Sequence, residues 1–164
     1  MELKILRFLQ DLFPNPFWIH LNQCMSFLGD GGLIWFITMI VLWFIPEYHY
    51  LSRLMLVTIA IQALVVNVML KPLFKRTRPF YSERNRLLLK KEPKDSSFPS
   101  AHSSSSFAMA GLMVFTKFPY WPIYLVIACG IALSRLVLFA HWLSDVIVGI
   151  IIGLLIAYIM VYYF

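Results

Sequence analysis

His141 and Asp145 stand four residues apart in a chain otherwise poor in charge. On a helix this spacing puts them one turn apart on one face. A carboxylate so placed can hold one imidazole nitrogen and leave the other to act as nucleophile or base. Ser134 and Arg135 lie just upstream, and the stretch 134–145 falls between two long apolar segments. Ionisable residues in such a place are rare, and each is a functional candidate. Two earlier groups have the same character: Lys71 with Arg78, and Ser100 with His102. Three cations and the amides of a helix starting at Ser100, a plausible N-cap, make an anion site, and the planar guanidinium suits phosphate oxygens. Two histidines can divide the remaining work. One, activated by Asp145, attacks phosphorus, and the other protonates the departing oxygen. A loose, charge-spread phosphoryl transition state asks mainly for positioning and electrostatic stabilisation.

This chemistry calls for no metal and no other cofactor. The chain has eight Asp and Glu residues, of which only Asp145 is expected in the cluster. A two-metal phosphatase needs several carboxylates or histidines as ligands. A zinc site on His102, His141 and Asp145 is arithmetically possible, but three neighbouring cations oppose a bound dication.

The elements that must position these groups are apolar helices. The hydrophobic fraction is 60%, charged residues make up 13%, and the mean hydropathy is +0.76, against roughly 45–50% apolar residues in soluble domains. The expected fold class is therefore all-α: a multi-pass transmembrane helical bundle of about five spans. One domain is expected over 1–164, with amphipathic interfacial helices in 1–28 and a transmembrane core in 29–164 that carries a catalytic loop at 71–102. Residues 1–13, ending at Phe13, mix Leu6, Phe8 and Leu9 with Glu2, Lys4 and Arg7, and Pro14 and Pro16 interrupt them. Residues 17–28 form a second amphipathic piece, as suits the interface.

Spans are expected at 31–45 (or from Met25), 53–74, 100–117, 123–139 and 142–164. A bilayer core of ~30 Å needs about 20 helical residues, so the first span is short if it starts at Gly31. Either Asp30 and its glycines lie inside the helix or the membrane is locally thin. Gln62 and Asn67 read as interhelical hydrogen-bonding groups, and Gly149 with Gly153 as a close-packing pair. With five spans, the loop after the second and the turn after the fourth emerge on one face, which the N-terminus shares. Lys71 to Arg78, Ser100 to His102 and Arg135 to Asp145 then meet. Removing one span between them would separate the three groups.

The formal net charge of +6 could suit nucleic acid, but the basic residues crowd beside the membrane. Anionic lipid headgroups are the expected partners. Lys75, Arg76, Arg84, Arg86, Lys90, Lys91 and Lys94 are expected to attract headgroups or sit in solvent, without a part in catalysis. Cys24 and Cys129 read as membrane-packed thiols and not as a disulfide. His20 and His49 read as interfacial residues. No cleaved signal peptide is expected, because no apolar stretch ends in a small-residue cleavage site.

Three motifs carry a family resemblance. They are Lys71-Pro-Leu-Phe-Lys-Arg-Thr-Arg78-Pro79, Pro99-Ser100-Ala101-His102, and Ser134-Arg135 followed after five residues by His141 and after three more by Asp145. In order and spacing the chain resembles the type 2 phosphatidic acid phosphatase superfamily of membrane lipid phosphatases. The resemblance extends through all the spans after the N-terminal helices. It implies a metal-independent reaction through a phosphohistidine, with His141 as nucleophile oriented by Asp145 and His102 as general acid. It further implies that Lys71, Arg78, Ser100, the Ala101 amide and Arg135 hold the phosphoryl oxygens. Ala101 replaces the family's usual glycine. It keeps the N–H and is tolerated if its φ is helical, but not if φ is positive.

The expected function is hydrolysis of a phosphate or diphosphate from a lipid: undecaprenyl diphosphate, phosphatidylglycerophosphate, phosphatidic acid or lipid A phosphate. A lipid phosphotransferase and a non-catalytic phospholipid-binding protein of the same fold are the alternatives. No oligomeric state follows from the sequence. The expected location is the cell membrane. On this topology twelve of the fourteen Lys and Arg residues share the active-site face, which the positive-inside rule assigns to the cytoplasm. Resemblance to the family's undecaprenyl diphosphate phosphatases points outward, and the outward face is the reading adopted.

Overall fold

The computed structural model describes residues 1–12, 14–89 and 92–164. The expectations for Phe13, Lys90 and Lys91 lie outside the described residues. Helix α1 (Glu2–Asp11) buries Leu6 and Gln10 and exposes Phe8 and Leu12. Asn15 then caps α2 (Pro16–Gly29): its side chain accepts from the Trp18 amide at 3.1 Å. Pro16 opens that helix, where a missing N–H costs nothing.

Helix α2 continues through a short 3-10 turn, Asp30–Gly32, into α3 (Leu33–Trp43). Gly31 and Gly32 take φ of 59° and 77°, which a side chain would resist. The break therefore sits where the glycines are. Together these pieces form Pro16–Trp43, 28 residues of mean hydropathy 1.7, long and apolar enough to cross a membrane. Residues 17–28, read from sequence as a separate interfacial piece, thus run into the first pass, and Asp30 lies inside it.

Helix α4 (His49–Ala63) passes through a π-helical segment, Leu64–Leu70, into α5 (Lys71–Phe74). Pro72 follows that segment and has no N–H to bond four residues back. The pass ends at Phe74, as the apolar pattern indicates. Then follow α6 (Ala101–Phe115), α7 (Trp121–Val137) and α8 (Leu143–Tyr163). No strand occurs among the described residues. By length and composition three stretches can cross a membrane, those of α2–α3, α4–α5 and α8, and α7 is a shorter apolar helix.

Helix α6 is the centre of the bundle. Ala108, Met109, Ala110, Leu112 and Met113 have no exposed surface. The outward faces of the other helices carry exposed Ile40, Val57, Val126, Ile151 and Leu155, a surface that suits acyl chains and not water. Helices α6 and α8 touch at backbone distance. A Cβ on Gly149 would stand 2.6 Å from the Ser100 carbonyl oxygen, and one on Gly153 2.3 Å from that of Ser104. The glycine pair thus fixes the spacing between the helix that carries His102 in its first turn and the helix that carries Asp145.

Candidate active site

The three motif regions meet on one side of the bundle. A cavity of about 1050 Å³ is lined by Lys71, Arg78, Ala101, His102, Arg135 and His141, with α2 supplying an opposite wall through Cys24 and Phe27. Ser100 and Asp145 lie behind it, fully buried. The Ser100 amide donates to the Asp145 carbonyl at 3.0 Å, which ties the start of α6 to the start of α8.

His141 sits in the turn between α7 and α8 and is 1% exposed. Its Nδ1 lies 2.7 Å from the Ser97 carbonyl oxygen. A carbonyl only accepts, so Nδ1 carries the hydrogen and Nε2 keeps the lone pair. Nε2 lies 3.1 Å from Nη1 of Arg78. Burial first, then the charges of Arg78 and Arg135, push the His141 pKa well below the ordinary imidazole value, which keeps the ring neutral. Asp145 stands 3.7 Å from Nδ1, beyond direct hydrogen-bond length. The direct bond expected from the four-residue spacing is therefore made by Ser97, and Asp145 lies beside the ring without bonding it.

Asp145 has two other tasks. One oxygen accepts from the Trp142 amide at 2.8 Å and caps α8; the other meets Nη1 of Arg76 at 2.6 Å. The same guanidinium donates to Ser144 Oγ at 2.7 Å and to Glu2 at 2.9 Å, and Glu2 accepts from the Ser144 amide at 2.8 Å. Arg76 was expected among headgroups or solvent. It is instead the counter-charge of a buried carboxylate, because its planar fork reaches two acids at once. Glu2 brings α1 into this network. Helix α1 is also held by ion pairs of Arg7 with Glu83 and of Arg86 with Asp11.

Lys71 and Arg78 converge on a carboxylate that sequence reasoning missed. Asp95 pairs with Lys71 and, at 2.8 Å, with Arg78. Burial alone would raise the Asp95 pKa, but the Lys71 bond and the charges of Lys71 and Arg78 hold it below the usual carboxylate range. The pair thus meets a single anionic group, as it would a phosphate. Arg78 also donates to the Ala140 carbonyl at 2.9 Å, which fixes its fork beside His141. Arg135 is 3% exposed and reaches the Ser26 hydroxyl. Its Nε has no hydrogen-bond partner among the described residues.

Ser100 caps α6: its Oγ accepts from the Ser103 amide at 3.3 Å and lies 2.9 Å from Ser103 Oγ. Its hydroxyl is thus engaged within the helix start. Ala101 opens α6 and is not among the residues with positive φ, so alanine is unstrained there. The hydroxyl of Ser134 bonds to the Ile131 carbonyl at 2.7 Å, a bond inside its own helix. His102 reaches across to a second missed acid, with Nε2 2.7 Å from Asp30 Oδ1. Among the described residues no group of three or more His, Cys, Asp or Glu side chains could hold a metal ion.

The signature of the PAP2 superfamily matches residues 51–164, most of the chain. The chain belongs to the PAP2 superfamily. It is 36% identical over 95 residues to the decaprenylphosphoryl-5-phosphoribose phosphatase of Mycobacterium tuberculosis, a match covering 57% of this chain and 51% of that protein. The aligned part thus spans about half the length of the mycobacterial relative. It is 28% identical over 145 residues to the undecaprenyl-diphosphatase of Sulfolobus acidocaldarius, covering 86% of this chain and 69% of that one. The fold is that of two crystal structures. Aquifex aeolicus LpxE matches with a TM-score of 0.84 at 24% identity, over 99% of this chain and 95% of its own. The PAP2-type phosphatidylglycerolphosphate phosphatase of Bacillus subtilis matches with a TM-score of 0.79 at 22% identity, over 97% and 82%. This PAP2 chain is thus a multi-pass membrane protein, and its three motifs fall on the walls of one cavity or directly behind them.

Proposed function

We propose that the chain is a metal-independent lipid phosphatase that works through a phosphohistidine. The observation that carries this reading is the state of His141: Nδ1–H is tied to the Ser97 carbonyl and Nε2 presents a lone pair beside Arg78. The substrate phosphate displaces Asp95 from Lys71 and Arg78 and is further held by Arg135 and the first amides of α6. Nε2 of His141 attacks phosphorus, the bond to the leaving oxygen breaks, and His102 gives that oxygen its proton. A water then loses a proton to His102 and attacks the phosphohistidine, releasing inorganic phosphate and restoring both rings. Ground-state binding and transition-state stabilisation use the same cations, which suits a reaction governed by charge and positioning.

The substrate is a lipid phosphate or diphosphate whose tail lies along the apolar wall of α2. The names of both sequence relatives refer to polyprenyl-linked phosphates, so undecaprenyl diphosphate heads the panel, followed by phosphatidylglycerophosphate, phosphatidic acid and lipid A phosphate. The membrane is the cell membrane, and the site faces outward. The test is phosphate release from these lipids by the purified chain in detergent. His141→Ala and His102→Ala should each reduce release at least about 100-fold, the scale of acid–base and nucleophilic contributions. Near-normal release by either variant would overturn the mechanism.

A further inference from the structure

We propose that Asp30, which lies outside all three motifs, is the positioning residue of the acid histidine. The inference rests on the phosphatase reading. Asp30 Oδ1 lies 2.7 Å from Nε2 of His102. A carboxylate only accepts, so this bond fixes Nε2 as the protonated nitrogen and orients the ring. Nδ1, which has no hydrogen-bond partner among the described residues, is then the nitrogen that exchanges a proton with the leaving oxygen. The charged groups that act on His102 are the cations Arg135 and Lys71 and the carboxylate Asp30. The cations oppose a second proton on the ring, and Asp30 is the carboxylate in contact that favours it.

The local backbone is shaped to this contact. Gly29 lies against the imidazole: a Cβ there would stand 2.8 Å from His102 Cδ2 and 2.8 Å from Ile131 Cγ2. Gly31 and Gly32 take the left-handed turn that interrupts an apolar pass. An uninterrupted helix would be the cheaper way across a membrane. The break puts one carboxylate at the cavity wall, 60% exposed on its side chain and joined to His102. Asp30 thus acts through His102 and not on the phosphate, which the neighbouring cations hold.

Leaving-group dependence tests this. The value of kcat/KM covers steps up to the first irreversible one, here the departure of the leaving group. An alkyl phosphate such as phosphatidic acid needs the acid's proton; p-nitrophenyl phosphate, with a leaving group stable as an anion, needs it little. Asp30→Ala should lower kcat/KM about 100-fold on phosphatidic acid and no more than about threefold on p-nitrophenyl phosphate, following the His102→Ala pattern. Asp30→Asn, which keeps an acceptor oxygen without the charge, should fall between wild type and Asp30→Ala. Equal loss on both substrates would mark Asp30 as merely structural, and no loss on phosphatidic acid would remove it from the reaction; either overturns the proposal. A wild-type chain that released phosphate from neither substrate would overturn the phosphatase reading itself.

Discussion

A fully buried carboxylate needs a counter-charge, and at Asp145 it is Arg76. Losing one partner of a fully buried pair costs ~3–5 kcal/mol. Arg76 is a third exposed on its side chain, so solvent screening brings the expected cost of Arg76→Ala to about 2 kcal/mol. A fall in kcat should accompany this loss, because Asp145 and the α8 cap stand directly behind His141. Arg76→Lys keeps the charge but not the fork and should recover only part of it. Thermal melts with phosphate-release kinetics check both. An Arg76→Ala enzyme with unchanged kcat would return Arg76 to the solvated cations. The neutral state of His141 has its own signature. Its pKa is held below the ordinary 6.5 by burial and by Arg78 and Arg135, so His141, the proposed nucleophile, stays unprotonated as pH falls through that value. The acid limb of phosphohistidine formation, followed by rapid quench, should lie below pH 6.5; a protonation of His141 at or above that pH would contradict the geometry. The grouping of His141, His102, Lys71, Arg78 and Arg135 around one cavity was legible from their spacing and the expected topology, while the role of each came from the family resemblance. Arg76, Asp30, Asp95 and Ser97 were not legible. Their roles come from partners such as Glu2, 74 residues from Arg76, and His102, 72 residues from Asp30. No local periodicity encodes such pairings.

At the scale of elements, the site depends on how closely α6 and α8 approach. Gly153 faces the Ser104 carbonyl, and a Cβ there would also meet the Ala108 amide nitrogen at 2.8 Å. Both neighbours are backbone and cannot rotate away, so Gly153→Ala must push the helices apart. Overpacking of this kind costs about 1–3 kcal/mol. It also moves His102 relative to Asp145, so Gly153→Ala should lower the melting temperature and the activity together. Gly31→Ala, which has no atom within 4 Å of its Cβ, suffers only from its positive φ and should cost about 1 kcal/mol. A Gly153→Ala chain that melted like wild type would show that the two helices are not locked at backbone contact. Three of the five expected passes are helices long and apolar enough to cross a membrane, while α7 is a shorter apolar helix and α6, at 15 residues, is the buried centre of the bundle; the small pair at 149 and 153 already indicated close packing. The junction of α2 with α3 was harder. The residues Gly-Asp-Gly-Gly from Gly29 to Gly32 read equally as the end of an interfacial helix or as a break inside a pass, and only the contact of Asp30 with His102 gives the break a reason.

For the whole molecule, orientation in the bilayer decides which compartment the cavity meets. Helix α1, the loop after α5 and the turn before α8 are bound to one another through Arg7, Glu83, Glu2, Arg76 and Asp145, so they share one face and report on it together. Leaving out Lys71, Arg78 and Arg135, seven of the described Lys and Arg residues belong to α1 and the loop after α5, against Arg53 and Lys117 at the opposite ends of the expected passes, and by charge alone the richer face would be the inside. Three of these seven serve other ends: Arg76 holds Asp145, Arg86 pairs with Asp11 and Glu83, and Arg7 pairs with Glu83. Their number then reflects these pairings as well as orientation, which weakens the charge count as a guide to the proposed outward face. Asn85 is exposed in the short 3-10 turn Arg84–Arg86, and Glu47 is exposed at the opposite end of the passes. In a chain with Cys24 and Cys129 replaced by serine, Asn85→Cys should react with a membrane-impermeant maleimide in intact cells. Glu47→Cys should react only after permeabilisation. The reverse pattern would place the cavity in the cytoplasm, where the charge count alone puts it, and phosphate release by the same two variants would confirm that the labelled chains are the folded enzyme.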